Sequence, residues 1–198
     1  MKSPITENFG DPLIIRDGFQ YFKDELNNWF CGELPQGKMV GGQNETMRNL
    51  EPINKFRLDL IFRFIGAGKV LDYGCGNGYL TSFLLRNGIP ACGYDKFNDK
   101  YVYLPDEFFD VITLIEVIEH LWKPFSDLQI IYDHLAVNGK LYVETTFTDE
   151  ITPEHEYLNP SIGHGLIFSH EGLEVLLKRF GFKLFQQVNK NVKIFRKI

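Results

Sequence analysis

Residues 70–80 read Val70-Leu71-Asp72-Tyr73-Gly74-Cys75-Gly76-Asn77-Gly78-Tyr79-Leu80, and the fold is decided by how they are read. Val70–Tyr73 is a short β-prone run without helical spacing, which predicts a buried strand. Gly74, Gly76 and Gly78 follow at alternate positions, where glycine lets a ligand lie against bare backbone. Tyr79–Leu85 then opens a helix. A strand, a glycine loop and a helix start together make a site for a nucleotide-like ligand. The dinucleotide fingerprint fails, because its third glycine would fall on Tyr79. The triphosphate loop fails as well: Gly68-Lys69 is followed by Val70, and position 63 is Arg63. Asp72, at the strand end, would repel a phosphate but suits a cation or an amino group.

Two stretches downstream extend the pattern. Ile89-Pro90-Ala91-Cys92-Gly93-Tyr94-Asp95 reads as the next strand, ending in an acid 95 − 72 = 23 positions after Asp72. A carboxylate about 20 residues past the loop can accept both ribose hydroxyls. Phe108–Leu121 then combines a Phe-Asp lead-in, an apolar strand and the string Glu116-Val117-Ile118-Glu119-His120-Leu121.

The glycine loop resembles motif I, Asp-x-Gly-x-Gly-x-Gly, of the class I S-adenosylmethionine (SAM)-dependent methyltransferases. The Glu-Val-Ile-Glu-His-Leu string resembles the end of that family's fourth strand. The resemblance covers residues 66–198 and is most specific over 70–95 and 108–121. It implies SAM as cofactor, held by Asp72, Gly74, Cys75, Gly76, Asn77, Gly78, Tyr79, Asp95, Ile115 and Glu116. Asp95 would take the ribose and Glu116 would sit by the methionine end. It also implies an α/β, Rossmann-like, seven-stranded, mostly parallel sheet with helices on both faces and an antiparallel last strand.

The order of elements agrees. From residue 68 on, strands are predicted at 69–73, 91–95, 110–116 and 141–147, and helices at 79–87, 124–136 and 170–180. Such alternation gives βαβ units. Asn138-Gly139 would stop the second of these helices, and Ser169 would cap the start of the third. Residues 182–188 and 192–198 would close the sheet as a hairpin. Between Asp95 and Asp110 the chain is short for the helix and strand that the family fits there. Tyr101–Leu104 is the candidate strand. Upstream, Phe19, Phe22, Leu26, Trp29 and Phe30 recur at helical spacing, so residues 18–30 are predicted as an amphipathic helix. Residues 33–46 read as a glycine-rich loop. Glu51-Pro52 starts a helix that carries Ile53, Phe56, Leu60, Ile61 and Phe64 and ends at Gly66. The division expected is an N-terminal helical cap, residues 1–66, and a SAM-binding domain, residues 67–198.

Methyl transfer needs alignment of nucleophile, methyl and sulfur, and an oxygen nucleophile must also lose a proton. The Asn/Asp-Pro-Pro-Tyr/Phe run of amino-methyltransferases is replaced here by Ile115-Glu116-Val117-Ile118. His155, His164 and His170 fall within residues 155–170, in or beside the loop after the fifth strand. Histidine is the natural base near neutral pH. His164, between Gly163 and Gly165, is the leading candidate, with His120 and Glu119 beside it.

Glu116, Glu119 and His120 with one more histidine also resemble the metal set of small-RNA 3′-terminal 2′-O-methyltransferases, and Thr152–Asn159 loosely echoes a run found in them. The aromatic-acid-aromatic run expected after the last histidine is missing, and the net charge of −5 is acidic. The same string occurs in metal-independent relatives, including ubiquinone-pathway O-methyltransferases. The expectation is therefore no metal and no nucleic-acid partner, with a small molecule accepting the methyl at oxygen, a sugar or another biosynthetic intermediate. The alternatives are a metal-dependent RNA 2′-O-methyltransferase and a non-catalytic SAM-binding regulatory subunit. At 198 residues the chain suffices for one domain with a full core. No apolar run approaches the roughly 20 residues of a membrane span. Three widely spaced cysteines, Cys31, Cys75 and Cys92, argue for free thiols and a cytoplasmic setting.

Overall fold

The computed structural model describes residues 1–33, 51–65, 68–121 and 124–198. The chain begins with an antiparallel meander: β1 (Asp11–Arg16), β2 (Phe19–Lys23) and β3 (Trp29–Cys31). These strands occupy the stretch for which the sequence predicts a helix over 18–30. The aromatic residues there are dense enough to satisfy a helical period, but the turn chemistry overrides it. Arg16 pairs with Phe19, so Asp17-Gly18 is a two-residue hairpin loop with φ 50° and 84°. Both central residues of such a turn need positive φ, which the Asp-Gly dipeptide supplies. Asn27, φ 61°, turns the chain again before β3. The expected N-terminal helical cap is therefore a meander followed by one helix, α1 (Glu51–Ile65). The glycine-rich stretch 34–46 and the predicted stop at Gly66 lie outside the described residues.

The central sheet is built from β4 (Val70–Tyr73), β5 (Ala91–Tyr94), β6 (Phe109–Ile115), β7 (Leu135–Glu144), β9 (Phe182–Gln187) and β10 (Val192–Lys197). Its order is β5-β4-β6-β7-β10-β9. The first four strands run parallel, and β10 is inserted antiparallel to both β7 and β9. The sheet has six strands among the described residues, not the seven expected. The missing one is the predicted Tyr101–Leu104 strand. Here residues 95–101 fold into a tight loop, with the Asp95 N–H donating to the Tyr101 carbonyl at 2.9 Å and the Tyr101 N–H to the Asn98 carbonyl at 2.8 Å. Too few residues remain before β6 for a crossover helix and a further strand.

Alternation along each strand sets the two faces. Val70, Val111, Tyr142 and Ile194 pack under α1 and α2 (Tyr79–Arg86). Leu71, Ile112, Leu141 and Phe195 pack under α3 (Pro124–His134) and α4 (His170–Arg179). Helices thus cover both faces, as a parallel sheet requires. The Ser169 hydroxyl accepts from the Gly172 N–H and caps α4 as predicted. Asn138-Gly139 does not follow a helix end directly. The chain enters β7 at Leu135, and Asn138, φ 63°, lies in a bulge between the Phe109–Leu135 and Val111–Lys140 pairs.

A short strand, β8 (Leu166–Ile167), joins the N-terminal meander, giving a four-stranded sheet β1-β2-β3-β8. Tyr21 and Trp29 bury their rings there with Leu158 and Ile167. No helix among the described residues is long and apolar enough to cross a membrane.

Candidate active site

The carboxyl ends of β4, β5, β6 and β7 lie along one edge of the sheet, and the chain turns sharply at each. After β4, the N–H groups of Gly74 and Cys75 both donate to the Tyr94 carbonyl, at 2.7 and 3.1 Å. Gly74 has φ 78°, and a Cβ on it would stand 2.4 Å from Val117 Cγ2. Gly78 has φ 72°, and a Cβ there would stand 2.1 Å from the Tyr101 hydroxyl oxygen. Both positions are closed to any larger residue by conformation and by space. Gly76 differs: nothing lies within 4 Å of its Cβ position, so its open side can receive a ligand. Gly78 offers no side-chain cap to α2, leaving backbone N–H groups at the helix start for a ligand.

Asp95 stands at the end of β5 as predicted. Its Oδ2 accepts from the Gly76 N–H at 2.9 Å and its Oδ1 from the Phe97 N–H at 2.8 Å. These bonds fix the carboxylate beside the glycine loop, and the remaining lone pairs can take two hydroxyls. Asn77 and Tyr79 lie on the exposed rim of the loop, and Cys75 is half-buried beneath it. Burial and the nearby Asp72 and Asp95 push the Cys75 thiol well above its ordinary pKa. Asp72 is set deeper. Its oxygens accept from Thr81 Oγ1 at 3.0 Å and Thr113 Oγ1 at 2.9 Å, so it ties β4, β6 and α2 together below the loop. Desolvation raises its pKa against the lowering effect of those two hydroxyls and of Arg57.

After β6, half-buried Ile115 leads into Glu116, a non-glycine residue with φ 51°. Such a backbone costs about 1–3 kcal/mol and persists where its surroundings dictate it. The Glu116 N–H donates to the Glu144 carbonyl at 2.9 Å, and a 3₁₀ turn over Ile118–His120 follows. This turn carries Glu119 and His120 inward, against the loop that precedes β8. Tyr157, on that loop, bridges the carboxylates: its oxygen lies 2.6 Å from Glu119 Oε1 and 3.0 Å from Glu116 Oε2. Thr145 Oγ1 donates to Glu119 Oε2 at 3.0 Å. A phenol has a single proton to give. Burial, reinforced by the Glu119 charge, raises the Glu116 pKa to about 8. The Tyr157 hydroxyl can therefore donate to Glu119 or to Glu116, and the shorter contact is the one to Glu119.

His164 completes the cluster. Its ring lies 4.2 Å from that of Tyr157 and 4.8 Å from that of His120, centroid to centroid. Its Nδ1 donates to the Tyr157 carbonyl at 2.6 Å, and the Tyr21 hydroxyl donates to its own carbonyl at 2.5 Å. Desolvation lowers the pKa of both imidazoles. The structure thus brings His164, His120, Glu119 and Glu116 together. It leaves exposed His155 and half-buried His170 outside that group: His170 stacks on Phe147 at 4.0 Å. Tyr157 and Tyr21 were not singled out from the sequence. Tyr157 lay within the histidine loop that the sequence marked, whereas no local signal ties Tyr21 to residue 164. Val117, in contact with the Gly74 position, joins this cluster to the glycine loop.

Comparison with known proteins agrees with the geometry. A family profile described as "Methyltransferase domain" matches residues 44–187. The ubiquinone biosynthesis O-methyltransferase of Histophilus somni (strain 2336) is 30% identical over 133 residues, covering 52% of this chain and 56% of that protein. The chain spans about half the length of the curated relatives it matches. Among solved structures, the Burkholderia thailandensis 1,6-didemethyltoxoflavin-N1-methyltransferase superposes with TM-score 0.53 at 15% identity, over 94% of this chain and 99% of that one. A SAM-bound amino pentose methyltransferase from Micromonospora echinaspora gives 0.53 at 14% identity, over 77% and 93%. Fold, glycine loop and family match converge: the chain belongs to the class I SAM-dependent methyltransferases.

Proposed function

We propose that this chain transfers a methyl group from SAM to an oxygen of a small-molecule acceptor. The observation that carries the reading is the adjacency of two preparations. One is a glycine loop with an open face at Gly76 and the Asp95 carboxylate fixed beside it. The other is the cluster of Glu116, Glu119, Tyr157, His120 and His164, in which Glu119 and His164 are buried and Glu116 is open to solvent. The donor set fits SAM, which carries a ribose diol, an amino group and a sulfonium but no phosphate. When bound, SAM supplies an electrophilic methyl group. Asp95 takes the ribose hydroxyls, and the loop backbone lies against the rest. The neutral imidazoles of His164 and His120 face the acceptor side, where a ring nitrogen can take the hydroxyl proton as the methyl arrives. Burial of Glu119 and His164 limits the water that would compete at that end of the cluster. The ubiquinone-pathway name of the curated relatives supports a small oxygen acceptor.

Calorimetry with SAM followed by a methyl-transfer screen over phenols, sugars and hydroxy acids tests the reading. Micromolar SAM binding with turnover of an oxygen acceptor is the expected result. Absence of SAM binding would overturn it, and SAM binding with no acceptor turned over would return the chain to a regulatory role. With an acceptor in hand, His164→Ala should leave SAM affinity nearly unchanged and lower turnover by about 10²–10⁴-fold.

A further inference from the structure

We propose that Tyr21 is a positioning residue for His164, and that through it the N-terminal meander sets where that imidazole stands; this rests on the proposed role of His164 as acceptor-side base. The need for such a residue lies in the chain around position 164. Gly163 has φ 94° and Gly165 follows the histidine directly, so the backbone is free on both sides of it. That freedom suits a substrate that must come close, but it leaves the imidazole without a fixed place. A base misplaced by about 1 Å can lose about 10²-fold in rate.

The meander supplies the restraint. The His164 N–H donates to the Asn159 carbonyl at 3.1 Å, within the loop itself. The next two carbonyls are held from outside the loop: the Tyr21 hydroxyl donates to that of His164 at 2.5 Å, and the Cys31 N–H to that of Gly165 at 2.9 Å. Tyr21 and Cys31 are direct partners across β2 and β3, so both donors arrive on one rung of the antiparallel ladder. The Tyr21 ring is fully buried with Trp29, Leu158 and Ile167, and packing fixes the direction of its hydroxyl. Arg16, at the end of β1, holds the other end of the loop, donating from Nη1 to the Glu154 carbonyl at 2.9 Å. With its backbone pinned, the His164 ring donates from Nδ1 to the Tyr157 carbonyl at 2.6 Å. A carbonyl only accepts, so Nδ1 carries the proton and Nε2 keeps the lone pair that a base needs. Tyr21 thus touches neither cofactor nor acceptor and acts through the tautomer and place of His164.

The first test needs neither SAM nor acceptor. In the ¹⁵N-labelled full chain above neutral pH, long-range ¹H–¹⁵N correlation spectra of the histidine rings read the tautomer of each imidazole. Wild type should show His164 as a single neutral Nδ1–H tautomer. Tyr21→Phe keeps the buried ring and removes one hydroxyl. It should mix the two tautomers at His164 and leave exposed His155 unchanged. An unchanged His164 signal would overturn the proposal.

The second test uses an acceptor found in the methyl-transfer screen. Tyr21→Phe should lower kcat by about 10–10²-fold, with SAM affinity and acceptor KM within about twofold of wild type. Ile167→Val trims the same small core but makes no bond to His164, so it should lower the melting temperature and leave kcat unchanged. In a His164→Ala background, Tyr21→Phe should cost no further turnover, because a residue acting through His164 then has nothing to act on. A further loss in the double variant, or wild-type kcat in Tyr21→Phe, would overturn the proposal. Wild-type kcat in His164→Ala would instead end the role of His164 as base, and the tautomer spectra would still decide whether Tyr21 places the ring.

Discussion

Gly74 is held to glycine twice over, by its left-handed backbone and by Val117 pressed against the place of a Cβ. Gly74→Ala should therefore cost roughly 2–4 kcal/mol, from backbone strain plus overpacking. Denaturant unfolding reads this directly, and a loss below about 1 kcal/mol would show that Val117 yields. Gly76, free of such contacts, separates stability from binding. A side chain there pays only the backbone strain but projects into the open face, so Gly76→Val should lose SAM binding while retaining most of its stability. Asp95 carries a different load. Asp95→Ala removes a carboxylate already aimed by two N–H donors, and SAM affinity should fall by about 1–3 kcal/mol in calorimetry. Near-native affinity in that variant would take the ribose away from Asp95.

At the scale of elements, β4 and α1 carry buried charge. Asp72, one residue before the end of β4, binds its proton more tightly in the folded chain than an ordinary carboxyl, because burial raises its pKa. The sign follows: its contribution is fullest below the ordinary carboxyl range and is lost as pH rises through the raised value. In Asp72→Asn this loss disappears. The melting-temperature difference, variant minus wild type, should grow more positive from pH 4 to pH 8, and parallel profiles would contradict the burial argument. α1 is tied to the sheet by Arg57. Its Nη2 and Nε meet the Glu144 oxygens at 2.7 and 3.0 Å, and the Tyr142 hydroxyl donates to Glu144 as well. Arg57→Ala strands that carboxylate and should cost about 3–5 kcal/mol, with part recovered when Glu144→Ala is added. Most elements from β4 onward were legible from period and cap, but the predicted Tyr101–Leu104 strand is absent, Asn138-Gly139 lies inside β7 rather than ending α3, and β8 was not foreseen. The meander was not, because its aromatic residues fit a helical stripe as well as a strand. Asp17-Gly18 was the deciding signal, a local turn that outweighs a longer-range period. The acids and glycines of the loop were legible through their spacing. His164 was legible as a candidate through its glycine neighbours, whereas the bridge that Tyr157 makes between Glu116 and Glu119 was not, since it depends on how a loop folds back across the sheet edge.

For the whole molecule, the meander and the histidine loop behave as one unit. β3 pairs with β8, the Cys31 N–H donates to the Gly165 carbonyl at 2.9 Å, and the Tyr21 hydroxyl holds the His164 carbonyl. Amides of Phe30, Cys31 and Ile167 should then exchange with solvent at a common rate, as one cooperative segment. Hydrogen exchange that separates β3 from β8 by several orders of magnitude would dissolve that unit.

The β3–β8 pairing also sets a schedule for synthesis. Phe30 meets Leu166, 166 − 30 = 136 positions later. A ribosome adding about 5–20 residues per second releases β1, β2 and β3 long before their fourth strand exists. Through that interval the meander is an isolated ribbon with a bare edge, and three short strands alone are marginal. Trp29 is the natural reporter, since it pairs with Ile167 and is 4% exposed in the finished chain. In a Trp122→Phe background its fluorescence should reach the native value only in the last refolding phase, after the central sheet has formed. Nascent chains stalled short of residue 166 should leave it open to quencher, so the first strands made are the last to be finished.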